Sequence, residues 1–166
     1  MKSLPNDLIL ALFLCAVSFA ACGGGETNNN ARTTSNAASR TGEGLTVAKT
    51  NVEELSLLVK VPYEAEDIVW KEYAAGKKVI AVLRFSPADA NKVVANAEKY
   101  GGAENVNLPV ETWFPGELIA QGEMSGDSAL KGLGYNANDF YLAPYTIGKI
   151  TRIEATDYFV LEVSAP

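Results

Sequence analysis

The chain has 166 residues and a formal net charge of −6, with 14 Lys and Arg against 20 Asp and Glu. The charges are interspersed, which excludes the basic patches by which proteins hold nucleic acid or an anionic membrane surface. There is no histidine, and the only two cysteines, Cys15 and Cys22, lie near the N-terminus. This inventory removes from residues 45–166 the Ser-His-Asp and Cys-His arrangements, thiolate chemistry, disulfides and the usual zinc ligands. The composition implies no cofactor and no metal, and the chain is expected not to be an enzyme.

Lys2 precedes an apolar run, Leu8 to Ala21, that is shorter than the roughly 20 residues a helix needs to cross a hydrocarbon core. A short apolar run behind a positive charge and ahead of small residues is the pattern of a secretory signal. Phe19-Ala20-Ala21-Cys22 resembles the lipobox of bacterial lipoproteins, with Phe19 where that family usually carries Leu. The resemblance implies a signal peptide over residues 1–21, cut just before Cys22, and a diacylglyceryl thioether on Cys22 with acylation (palmitate, for example) of the new amine. It also implies a partner in the membrane itself, since two or more acyl chains anchor stably where one does not. Gly23 rather than Asp after the cysteine implies, within that family, the outer membrane if the cell is Gram-negative. The same residues fit an ordinary signal peptide cut after Ala20, and that alternative leaves a secreted or periplasmic protein.

Residues 22–44 carry no large apolar side chain beyond Cys22 and are dominated by Gly, Asn, Ser, Thr and Ala. Such a stretch has nothing to bury against the entropy of ordering and reads as a flexible linker spanning roughly 25 Å root-mean-square. Residues 45–166 are enough for one hydrophobic core and few for two, so a single domain is expected.

Within that domain, Leu55, Leu57, Val59 and Val61 fall on one side with Ser56 and Lys60 on the other, and predict a strand ended by Pro62. A short helix opened by Thr50 and Glu53 as a capping box is the competing reading. Ile68 to Tyr73 and Val79 to Phe85 predict a hairpin whose loop uses Gly76 at positive φ. The near-continuous apolar run of the second segment suggests a central strand. Ser86, Pro87 and Asp89 set an N-cap, a proline at the first helical position and an acid in the first turn. The helix they start, Pro87 to Tyr100, is expected to bury Ala90, Val93, Val94, Ala97 and Tyr100 and to end at a left-handed Gly101. Glycine or proline recurs every few residues from 102 to 149, which predicts short strands between turns, including Leu118 to Gln121 and Phe140 to Leu142. Lys149 to Ala155 and Tyr158 to Val163 predict a terminal hairpin. The expected fold is α+β: a small antiparallel sheet with one main helix packed on it, in a single domain.

Three groups of residues bear on function. Trp113, Phe114, Tyr135, Tyr141 and Tyr145, with Phe140, concentrate aromatics that could form a binding surface for a protein partner or stack on a cell-wall glycan, or could simply cover the sheet. Glu111, Glu117, Glu123, Asp127 and Asp139 are the carboxylates a glycoside hydrolase would need in convergent pairs. Asp127, Asn136, Asn138 and Asp139 are oxygen donors of the calcium type, but in a spacing common to turns. The expectation is a lipid-anchored cell-envelope protein whose domain binds a protein or a glycan. The alternatives are a secreted or periplasmic small-ligand-binding protein and a carboxylate-dependent hydrolase. Exposure of Trp113, Tyr135, Tyr141 and Tyr145 separates these readings.

Overall fold

The computed structural model describes residues 47–166; the expected signal peptide, Cys22 and the expected linker to residue 44 lie outside the described residues. Six strands form one sheet: β1 (Ala65–Tyr73), β2 (Lys78–Phe85), β3 (Glu104–Pro109), β4 (Ala129–Asn136), β5 (Ile147–Ile153) and β6 (Tyr158–Ser164). Their order is β1-β2-β6-β5-β4-β3, and every neighbouring pair is antiparallel. Three α-helices accompany it: α1 (Val52–Ser56), α2 (Pro87–Ala97) and α3 (Gly116–Ser125). The domain is therefore α+β. No helix among the described residues is long and apolar enough to cross a membrane.

Successive strand residues point to opposite faces, and both faces of this sheet are covered. On one face Trp70, Ala81, Leu83, Phe85, Phe159, Leu161 and Ile150 pack against Ala90, Val93 and Ala97 of α2 and against Leu55 and Val59. On the other, Ile80, Val82, Val160, Ile153, Leu130 and Leu108 pack against Phe114 and Leu118. A strand covered on both sides has no position for a solvated side chain, which is why Val79-Ile80-Ala81-Val82-Leu83 is an unbroken apolar run, all of it buried.

The β1–β2 hairpin forms as the sequence implies, with Gly76 at φ 82°, and Ala74 and Ala75 also take positive φ. The hairpin of β5 and β6 forms as well. Helix α2 starts where it should: the Ser86 hydroxyl accepts the Asp89 N–H at 3.2 Å. Its end differs. The last turn tightens into a 3₁₀ helix, Glu98–Tyr100, and Gly101 sits at φ 146°, ψ 164°, a region that only glycine enters readily but not the left-handed helical one. Tyr100 is 48% exposed rather than buried, its hydroxyl held by Asp139 at 2.8 Å.

Three expected strands are absent. Leu55 to Val61 folds as the end of α1 and a turn, because the buried pair is Leu55 and Val59, four apart, while Leu57 is exposed. The cap of α1 is Asn51, whose side chain accepts the Glu54 N–H at 3.0 Å, rather than Thr50. Leu118 to Gln121 lies inside α3, which buries Leu118 and Gly122, again one helical turn apart. A Cβ at Gly122 would run into the Val110 side chain, so the glycine that breaks the sequence pattern is what lets the helix approach the chain entering it. Phe140 closes a 3₁₀ turn, Asn138–Phe140, and Leu142 makes only an isolated bridge to Tyr145.

Candidate functional site

The aromatics that cluster in the sequence do not cluster on the surface. Phe114 is buried in the α3 side of the core, and half-buried Trp113 packs edge-on against it, ring centroids 4.7 Å apart. The Trp113 indole N–H lies 2.9 Å from the Tyr73 hydroxyl and 3.2 Å from a Glu111 carboxylate oxygen. Tyr135 and Tyr145 are buried in the core on the other side of the sheet, where Tyr141 packs half-buried. The Tyr145 hydroxyl donates to the Gly76 carbonyl at 2.5 Å and that of Tyr141 to the Gly148 carbonyl at 2.9 Å. Burial pushes the phenols of Tyr135 and Tyr145 above their usual pKa. Trp113 and Phe114 thus belong to one face and Tyr135, Tyr141 and Tyr145 to the other, so the five do not make one binding surface. Their rings fill or border the core, the Tyr145 hydroxyl ties down the β1–β2 turn and the Tyr141 hydroxyl holds the start of β5.

The carboxylates are spread over separate elements, with Glu117 and Glu123 both on α3. Glu111 sits beside Trp113, Asp139 accepts from Tyr100, and Asp127 closes the turn after α3 by accepting from the Ser125 hydroxyl at 2.6 Å and the Ala129 N–H at 3.2 Å. Those two bonds, the hydroxyl first, hold the Asp127 carboxyl below the usual range. Asp127 and Asn136 lie at opposite ends of β4, a strand roughly 23 Å long at the usual rise per residue. The calcium-type donor set is therefore not assembled around one point.

What the fold does assemble is a groove of about 720 Å³ on the α2 side, at the β3 end of the sheet. Strand register builds it in two rows. Asn105 of β3 is paired with Leu133 of β4, and Leu133 with Arg152 of β5, while Asn107 is paired with Lys131 in the next row. The turn between β5 and β6, Glu154 to Asp157, forms the wall at one end. Arg152 is fixed by three neighbours: Asp157 at 3.1 Å, the Asn91 side chain of α2 at 3.3 Å and the Thr156 carbonyl at 3.4 Å. It thereby ties the hairpin turn to the helix. Leu133, 42% exposed, is an apolar spot among the amides and charges. Asn105 and Asn107 are exposed along the open rim formed by β3, the end strand of the sheet, and Lys131 is exposed one strand further in.

The lining offers amide donors and acceptors, one exposed ammonium and apolar contacts that include the exposed Leu133 and Ala155, with two basic and two acidic side chains in balance. No aromatic ring lines it, so a sugar has nothing there to stack on. None of these residues stands out in the sequence. The one available signal is the alternation in Glu104-Asn105-Val106-Asn107-Leu108, which puts polar residues on one side of β3 and apolar ones on the other. Comparison with known proteins finds no matching family model, no similar curated protein and no similar solved structure.

Proposed function

We propose that this chain is a lipid-anchored protein of the bacterial cell envelope, and that its domain holds a segment of a partner protein in the groove beside β3. The anchor rests on the resemblance of Phe19-Ala20-Ala21-Cys22 to a lipobox, and the apolar-poor linker behind it would let the domain reach away from the bilayer. The observation that carries the binding role is the groove itself: concave, open along an end strand, and lined by a few polar groups around the exposed Leu133. Concavity with a few convergent polar groups marks binding sites in general. Amides, an ammonium and aliphatic contacts suit a polypeptide better than a glycan, because stacking rings are missing from the lining.

The test uses a photo-reactive amino acid placed at Leu133, or at Met124 on α3 at the far side of the sheet, in the full chain expressed in a bacterial host. Both positions are exposed, at 42% and 82%. A discrete protein adduct from position 133, absent from position 124, supports the groove. Equal labelling at both positions, or none at 133, contradicts it.

A further inference from the structure

We infer that the partner segment binds by adding a strand to the outer edge of β3; this rests on the groove reading above and names its recognition mode. Val110 donates its N–H to the Ser128 carbonyl at 3.0 Å, one step beyond the paired Pro109 and Ala129. In an antiparallel ladder, residues that exchange hydrogen bonds alternate with residues that do not. Counting back by twos, Leu108, Val106 and Glu104 bond inward to β4. The main-chain polar groups of Pro109, Asn107 and Asn105 then point away from the sheet.

The other side of β4 agrees. Glu154 donates its N–H to the Lys131 carbonyl at 2.9 Å, so Lys131, Leu133 and Tyr135 serve β5. Leu130, Gly132 and Gly134 are left to serve β3, and they are the register partners of Leu108, Val106 and Glu104. Pro109 fits the same phase: its missing N–H falls in the outward set, the place an edge strand tolerates proline. The open edge therefore presents the N–H groups of Asn105 and Asn107 and the carbonyls of Asn105, Asn107 and Pro109. Among the described residues no strand lies outside β3.

The two faces of an added strand would meet different chemistry. On the groove side it flanks Asn105 and Asn107, with Lys131 one strand further in, which favours hydroxyl, amide or acidic side chains. On the opposite side it flanks Leu108 and half-buried Val106, part of the apolar cluster around Leu118 and Leu130, which favours Val, Ile or Leu. The ligand is thus an extended stretch alternating apolar with polar or acidic residues. Main-chain bonds supply affinity and alternate side chains supply specificity in such recognition.

The probe is a phage-displayed library of random 12-residue peptides, panned against the full mature chain in detergent micelles. The best sequences are then synthesised with and without N-methyl groups at single positions, and their Kd values measured by fluorescence anisotropy. The expected peptides alternate apolar and polar, and N-methylation weakens them at every second residue only. Asn107→Pro, whose lost N–H faces outward and leaves the β4 ladder intact, should raise Kd about tenfold or more, and Asn107→Ala less than about threefold. Peptides that bind without the every-second-residue pattern, and equally well to Asn107→Pro, would overturn strand addition while leaving the groove as a binding site. A library yielding no binder would remove both. Doubling of the chain's own mass in sedimentation, abolished by Asn107→Pro, would assign the edge to a second copy and overturn the partner assignment.

Discussion

Leu118→Ala probes the half of the architecture that covers the second face of the sheet. Leu118 is fully buried on α3 and packs in the cluster with Phe114, Leu130, Ile153 and Val160. The substitution removes three carbon atoms, about 2.4 kcal/mol of transfer free energy at about 0.8 kcal/mol each. The cavity left behind adds to this, and buried Leu→Ala changes span about 2–5 kcal/mol. We expect a loss of about 3 kcal/mol, which for a domain of this size lowers Tm by roughly 10 °C. The assay is thermal and urea unfolding followed by circular dichroism, with Ala120→Glu as the comparison. Ala120 is exposed on the helix, whereas a strand through Leu118 and Gln121 would put Leu118 and Ala120 on the same face. A loss below about 1 kcal/mol at Leu118, or a comparable loss at Ala120, would refute the helical register of α3 and its role as a lid on the core.

Ser86→Ala removes the side-chain cap of α2 and should cost about 1 kcal/mol in the same melts; no change would mean the cap does not hold the helix start. Tyr145→Phe deletes only the hydroxyl that donates to the Gly76 carbonyl and should cost about 1 kcal/mol while leaving the fold intact, an unaltered Tm counting against that tie. Asp89, Glu104 and Asp127 have carboxyls held below their usual pKa, by Lys92, Lys149 and the Ser125 hydroxyl respectively. Groups depressed in the folded state stabilise it above their unfolded pKa of about 4 and lose that contribution as pH falls through the lower folded value. Tm should therefore decline as pH falls below about 4, less steeply in Asp89→Asn/Glu104→Gln/Asp127→Asn, and an identical decline in the triple variant would contradict the assignment. Leu133→Thr keeps strand propensity but removes the apolar spot of the groove; cross-linking to the partner from a probe at Lys131 should fall several-fold with Tm nearly unchanged, and undiminished cross-linking would exclude Leu133 from the contact.

How far the sequence reveals this molecule depends on whether local pattern and burial coincide. The β1–β2 and β5–β6 hairpins and α2 are legible because each carries its own punctuation: Gly76 in one turn, Thr156-Asp157 in another, Ser86-Pro87 at the helix start. Leu55 to Val61 misleads because Leu57, exposed at 76%, completes a false alternation with the truly buried Leu55 and Val59. In α3, Gly122 reads as a breaker, although its missing side chain is what allows close packing against Val110. The aromatic group misleads for another reason. Closeness along the chain between Trp113 and Tyr145 says nothing about which face of a sheet each residue reaches, and here the faces differ. The groove is illegible for the same reason. Asn105, Lys131 and Arg152 are adjacent only through the pairing of β3, β4 and β5, a non-local arrangement that no single stretch encodes.

The most direct test of an anchored binding protein is the intact mass and membrane fractionation of the wild-type chain beside Cys22→Ala in a bacterial host. The expected result is a chain beginning at Cys22 with the mass of a diacylglyceryl group and a further acyl chain added, sedimenting with membranes, and loss of both properties in the variant. A soluble exported product of unmodified mass, the same for wild type and Cys22→Ala, would contradict the anchor and place the domain and its partner free in the periplasm or the medium.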